Sequence, residues 1–341
     1  MVTGSGTSGA LSADKNIILA ASDGGFENVF NQYTDEVQKG TQVDLSAISH
    51  EDPRLNLFDK LQGDSARFAK FREAQKQREL AGATTDLDKQ KIERRYSEYL
   101  ETEKHAIFGN SAAAERWMGF EDNADLYPNL EYRTAGDGDV RAEHAKLDGI
   151  VLPLNDSFWR SHTPPLGWGC RCELVQTDEP VNKNKEKYKG FEDTPAPKGF
   201  DFNPGIDKKV FSNQAGYYTS APGTEAKQLT TEAQAFYYDF TKKYGAGMAG
   251  KAIATNLGKV KVTKKGVKAA IDQPHRNYTL KNMVMENLQG LMKELEFQPL
   301  AKSDNLFYGQ FSLNGKNSYV IVEKLKNNQM QFRNITDTLD L

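Results

Sequence analysis

The sequence predicts an α+β chain of more than one domain. It reads as an N-terminal helical region with a small strand-and-loop module, a linker, and a C-terminal domain of helices plus an antiparallel sheet. Three observations predict this. Apolar residues recur at helical spacing through the first 120 positions. After Tyr127-Pro128 the texture changes to short strand-like pieces. Near the end of the chain, three strand-like runs follow one another, the first pair joined around Asn314-Gly315, a strong hairpin signal. A length of 341 residues allows two or three domains at roughly 100–200 residues each.

Residues 1–14 are small and polar and are expected to be disordered. A first domain is expected over 15–175. Within it, a short helical pattern runs from Asp14 to about Val37, interrupted at Gly24-Gly25, and residues 38–54 read as loop. Leu57, Leu61, Phe68 and Phe71 recur at helical spacing in a segment ending near Leu80. A second long helix is expected to start at Asp86 as N-cap and to carry Ile92, Tyr96, Tyr99 and Leu100 on one face. Gly109-Asn110 reads as a break, followed by a short helix from Ser111 to Met118. Strands are expected at Leu130–Thr134, Ile150–Leu154 and Cys170–Val175.

Residues 176–224 have linker composition, rich in lysine and then in Pro195, Pro197, Pro204, Gly199 and Gly205. The C-terminal domain is expected over 225–341 with its core at 251–341. It starts with a helix over Glu225–Tyr244 and the Gly-rich Gly245–Gly250. Helices at Val267–Ile271 and Lys281–Leu295 come next, then strands at Leu306–Leu313, Ser318–Lys324 and Gln329–Ile335.

Composition removes several classes. Hydrophobic residues are 38% and charged residues 27%, a polar chain that can still bury a core. No apolar run approaches the roughly 18–20 residues of a membrane span, and the longest near the start is Ile17–Ala21. No membrane partner is therefore expected. Met1 to Ala10 lack a basic segment, which predicts no secretory signal. Two cysteines cannot make a disulfide framework and suit a reducing compartment.

The net charge of −3 hides an asymmetry. Residues 251–341 hold 14 basic and 8 acidic residues, whereas the remaining 250 hold 30 and 39. Six lysines and no acid fall within 251–270. A basic end on an acidic body points to a polyanion as partner for that end, with an ordinary solvated lysine face as the alternative.

The most specific stretch runs from Tyr132 to Cys172. It reads Tyr132-Arg-Thr-Ala-Gly-Asp137, Val140-Arg141, His144 and Leu147-Asp148-Gly149. Asp156-Ser-Phe-Trp159, Pro164-Pro-Leu-Gly-Trp168 and Gly169-Cys-Arg-Cys172 complete it. In this order and mix of residue types the chain resembles the phage Mu F-like minor head proteins, the phage head morphogenesis family. Lys198-Gly-Phe-Asp-Phe-Asn-Pro-Gly205 is similar to that family's exit from the domain. The resemblance implies a minor head protein with phage portal or capsid proteins as partners, located in the virion interior or the bacterial cytoplasm.

The residues of this block also have a chemistry of their own. Alternation along a strand puts the sulfurs of Cys170 and Cys172 on one side. With His144 and a fourth group such as His162 or Asp137 they could hold a tetrahedral zinc. Because C-x-C departs from the usual C-x₂₋₄-C spacing, packed thiols beside a hydrogen-bonded histidine are the preferred reading, with no metal and no cofactor. Trp159, Pro164, Pro165 and Trp168 read as a packed rigid loop. Arg133 and Arg141 are expected to pair with Asp137 and Asp148. Two further patterns point to no site. Gly245-Ala-Gly-Met-Ala-Gly250 fits a dinucleotide fingerprint but lacks a preceding strand. Glu101-Thr-Glu103 resembles the E-x-E of ADP-ribosyltransferases but reads as a solvated helix face.

The C-terminal segment, from Lys261-Val-Thr-Lys-Lys-Gly-Val-Lys268 through His275-Arg-Asn-Tyr278 and Lys281 to the final meander, is similar to phage-associated barnase/EndoU/RelE-like nuclease domains. That resemblance implies metal-independent RNA cleavage. His275 would move the proton, with Lys268, Lys281, Arg333, Thr336 and Tyr308 completing the site. Lys261, Lys264, Lys265 and Arg276 would bind RNA or DNA, and an immunity protein would be a further partner. The expected function is a head protein carrying an RNase-like effector. The alternatives are a non-catalytic assembly protein whose basic end binds nucleic acid, or a polymorphic toxin that uses the head domain for delivery.

Overall fold

The computed structural model describes residues 24–301 and 303–339. The stretch expected to be disordered, 1–14, and the first part of the following helical pattern, including Ile17–Ala21, lie outside the described residues. The chain is an α+β protein that divides into two compact units, one of Met1–Gln42 with Lys60–Gln234 and the other of Val43–Asp59 with Ala235–Leu341.

In the first unit, helix α1 (Gly24–Thr41) buries Phe26, Phe30, Tyr33 and Val37, a 4-3-4 spacing that lays one apolar stripe along the helix. Helix α2 (Pro53–Gly82), part of this unit from Lys60 onward, buries Leu61, Phe68 and Phe71 there, as the spacing predicts. Helix α3 (Asp86–Asp122) is capped one residue earlier than expected, with Thr85 Oγ1 accepting from the Asp88 amide at 3.1 Å. Asp86 and Asp88 sit in its first turn, where negative charge meets the positive helix end.

Gly109-Asn110 does not break this helix. A Cβ on Gly109 would lie 3.2 Å from Cγ of Pro165, so the glycine permits close packing. Asn110 is fully buried and donates to the Val210 carbonyl at 2.7 Å.

Beyond α3 come strands β1 (Asn129–Arg133), β2 (Val151–Pro153) and β3 (Glu173–Thr177), an antiparallel sheet in the order β2-β1-β3. A one-turn helix, α4 (Ala142–Ala145), lies between β1 and β2 in the chain. Leu130, Tyr132, Ile150, Leu152 and Leu174 form a core with Trp117, Phe158, Trp159, Leu166, Tyr188 and Phe191, and Cys170 and Cys172 pack at its edge. Full burial of one such side chain is worth about 1.5–3 kcal/mol. Of the Trp/Pro loop, Trp159, Pro164 and Pro165 are buried while Trp168 is exposed.

The stretch 176–224 has few regular elements and is packed within the first unit. Tyr188, Phe191, Phe200, Phe202 and Phe211 are buried. Asn203 caps the short helix α5 (Pro204–Asp207) through Oδ1, and α6 (Gly216–Ser220) and α7 (Gly223–Phe240) follow. Proline and glycine limit helix and strand here; the aromatics between them still bury.

The second unit is a six-stranded sheet in the order β4-β5-β9-β8-β7-β6. It comprises β4 (Ala252–Thr255), β5 (Gly258–Lys261), β6 (Gln298–Pro299), β7 (Leu306–Leu313), β8 (Lys316–Lys324) and β9 (Met330–Thr336). The three-stranded meander is where the sequence predicts it. Its first turn has Asn314 at φ +52° and Gly315 at φ +69°, the left-handed pair that matches strand twist in a two-residue hairpin. Strands β4, β5 and β6 are additional, and β5 pairs with β9 in parallel. Helices α8 (Lys264–Asp272), α9 (Tyr278–Val284) and α10 (Leu288–Glu294) complete the unit. The expected single helix over Lys281–Leu295 is thus two, joined by a tight turn at Met285–Asn287.

Candidate functional site

The sequence places chemistry at two sites, one in each unit. In the second unit, Thr263 caps α8 by accepting from the Gly266 amide at 3.1 Å, which puts Lys264 and Lys265 in the first helical turn. Lys259 and Lys261 on β5 and both of these lysines are exposed. Lys268, one turn further on, is tied to Asp272 in an i,i+4 ion pair.

His275 follows α8 and is only 9% exposed. Its Nδ1 accepts from the Asn277 amide at 3.0 Å, so Nε2 carries the proton and faces Ser318 Oγ at 3.2 Å. Burial pushes its pKa down to about 4; Asp337 opposes the shift, and the charges of Lys281 and Arg276 add to it. At neutral pH the ring is therefore uncharged, with both nitrogens engaged.

Lys281 is fully buried. Its ammonium donates to the carbonyls of Ala270, Ile271 at 3.0 Å and Gln273 at 2.9 Å, closing the C-terminal end of α8. All three donors are used on backbone, which leaves none for a phosphate. Arg276 binds Asp337 through its amide at 2.9 Å and Nε at 3.0 Å. Thr336 is buried, Arg333 is exposed on β9, and Tyr308 lies edge-on to Tyr319 with ring centroids 6.0 Å apart. Hydrogen bonds from the His275 ring reach none of these side chains.

In the first unit, α4 and the segment leading into β3 bring His144, Cys170 and Cys172 together. His144 is 2% exposed, and its Nδ1 lies 3.7 Å from each Sγ. Arg171, between the cysteines, points away and forms a two-pronged pair with Asp137 at 2.6 and 2.7 Å. Both cysteines lie just before β3, outside the strand expected over Cys170–Val175, yet their sulfurs face the same imidazole, and both are free thiols. The hydrogen bond between the two sulfurs lowers the pKa of the Cys170 thiol and raises that of Cys172. The Tyr132 hydroxyl on β1 lies beside Cys172, a neighbour that no spacing in the sequence reveals.

The other expected partners lie elsewhere. His162 has Nδ1 on Ser161 Oγ and Nε2 on the Thr194 carbonyl, both at 2.8 Å, so it is not a fourth member of the cluster. Nor is Asp137, which Arg171 holds. The expected ion-pair network is rearranged as well: Arg133 pairs with Glu131, Arg141 donates to the Trp168 carbonyl, and Asp148 accepts from Thr134.

Glu103 is not on a solvated face. Only 2% exposed, it accepts from Arg72 Nε at 2.7 Å, Tyr33 at 2.6 Å and Tyr217 at 2.5 Å. It lines a cavity of about 420 Å³ with Tyr99, Thr102, Trp168 and Tyr217, but its carboxylate is fully committed inside the protein.

The module that holds the cysteines also decides what the chain is similar to. Residues 28–175 match the family described as Phage Mu protein F like protein. Over that stretch the chain is similar to the Mu F-like proteins. Over 61 residues it is 44% identical to the putative capsid assembly protein F of Escherichia phage Mu, covering 18% of this chain and 14% of that protein. Over 66 residues it is 33% identical to the Mu-like prophage FluMu F protein of Haemophilus influenzae, covering 19% and 16%. The matches therefore span only 14% and 16% of these relatives' lengths. No solved structure matches the chain. Among the described residues no helix is long and apolar enough to cross a membrane.

Proposed function

We propose that this chain is a head assembly protein of a phage or prophage, acting through its Mu F-like domain on portal or capsid partners within the virion. The observation that carries the reading is the family match over residues 28–175, which contains the whole Tyr132–Cys172 block. The likeness to a capsid assembly protein of phage Mu supports the same partners. Deleting the gene from an inducible prophage should abolish filled heads, and a plasmid copy should restore them. Normal heads from the deletion strain would defeat the reading.

For the second unit we propose polyanion binding without catalysis. Lys259, Lys261, Lys264 and Lys265 are exposed around the junction of β5 and α8, a placement that supports nucleic acid as ligand. The RNase-like effector draws less support. Its expected base, His275, is buried and hydrogen-bonded on both nitrogens, and Lys281 closes a helix. Purified full-length chain incubated with RNA in EDTA separates the two: retention without cleavage fits the binding role, and cleavage products restore the effector. Host toxicity relieved by a neighbouring immunity gene would favour the toxin reading.

A further inference from the structure

Among the described residues, His144, Cys170 and Cys172 form the one group of three or more histidine, cysteine or carboxylate side chains whose ligand atoms converge within 4.8 Å of one another. They come from two separate pieces of chain, 26 residues apart, and Cys172 directly precedes β3. The separations resemble those of a coordination shell. Zinc–sulfur bonds of about 2.3 Å and a zinc–nitrogen bond of about 2.0–2.1 Å, arranged tetrahedrally, put sulfur and nitrogen about 3.6 Å apart. Both Sγ–Nδ1 distances are 3.7 Å.

The same geometry is a poor one for thiols and imidazole alone. His144 is almost fully buried, and among the described residues the side-chain hydrogen-bond partners of its Nδ1 are the two sulfurs alone. A thiol is a weak partner for a buried imidazole nitrogen, and a cation between Nδ1 and the two sulfurs would give that nitrogen a strong one. Two thiolates would neutralise a divalent ion, and sulfur with imidazole selects a borderline-soft metal over magnesium or calcium.

We infer that the Mu F-like domain binds one zinc ion through Cys170 Sγ, Cys172 Sγ and His144 Nδ1, with water as the fourth ligand. No other histidine, cysteine or carboxylate among the described residues joins the cluster, and both cysteines are half-exposed, which leaves one side open to water. The ion ties α4 to the start of β3 and closes a loop across the three-stranded sheet. Zinc binding here is independent of the head assembly role.

The test uses the full-length chain, purified under reducing conditions and freed of loose metal by gel filtration, with zinc measured by mass spectrometry. About one zinc per chain is expected. Cys170→Ser, Cys172→Ser and His144→Ala should each retain less than about one tenth of it. Zinc retained undiminished in these variants would overturn the inference. In case a variant fails to fold, apo wild-type chain titrated with Co²⁺ gives a second readout. Tetrahedral d–d bands and sulfur-to-cobalt charge transfer should saturate at one equivalent and be displaced by zinc. A reduced chain that contains no zinc as purified and shows no such bands overturns the proposal.

Discussion

Arg72 Nε donates to Glu103 Oε2 at 2.7 Å between two helices, and both side chains are almost fully buried. Tyr33 and Tyr217 add their hydroxyls to the same carboxylate, so one acidic residue on α3 gathers α1, α2 and α6. Removing one partner strands the other charge in a dry place, which costs about 3–5 kcal/mol. Glu103→Ala and Arg72→Ala should each lower the melting temperature of the full chain markedly in calorimetry. The double variant Arg72→Met with Glu103→Leu should recover much of the deficit. A Glu103→Ala melt matching wild type would show that the cluster does not stabilise the unit.

His275 gives the second unit a pH dependence of definite sign. Its native pKa is pushed down to about 4 from an ordinary 6.5, so the unfolded chain takes up a proton before the native one does. Stability is fully present above about pH 6.5 and is lost progressively as pH falls toward 4, by about 3 kcal/mol in all. Urea midpoints measured at intervals from pH 7.5 to 4.5 should fall, and in His275→Gln this part of the slope should be absent. An identical slope in the variant would contradict the buried, neutral imidazole.

A segment shows in the sequence when its structural role constrains its own residues. Helix α1 announces itself because it buries one stripe, and α2 because its large apolar residues keep helical spacing, although 68–74 are buried all round. Asn314-Gly315 marks its hairpin because few other pairs take two left-handed conformations. Strands β4 and β5 carry no such mark. They are four residues long, lysine-bearing or lysine-flanked, and bury one side chain each, Ile253 and Val260. Gly109-Asn110 reads as a break because the sequence does not show Pro165 pressing on the helix. The proximity of His144 to Cys170 and Cys172 could be guessed from the C-x-C alternation. The tertiary placement of Tyr132, and the engagement of His162 elsewhere, could not. Glu103 lies in a run of charges, and nothing local distinguishes it from its solvated neighbours.

The lysines around the start of α8 should bind nucleic acid through phosphates. Binding of full-length chain to single-stranded RNA should weaken steeply with salt. Replacing Lys264 and Lys265 by alanine should flatten the log–log slope by about 0.7 for each phosphate that is no longer neutralised. His275→Gln should leave that binding unchanged. Binding that ignores both salt and these substitutions would show that the basic face does not recognise phosphate.

We propose that the chain belongs to the phage head. The most direct measurement is peptide mass spectrometry of heads purified by density gradient from an induced prophage strain, with tails and host debris analysed alongside. Peptides of this chain are expected in the head fraction, at constant ratio to the portal across the gradient. Purified heads that lack the chain while it accumulates free in the lysate would contradict it.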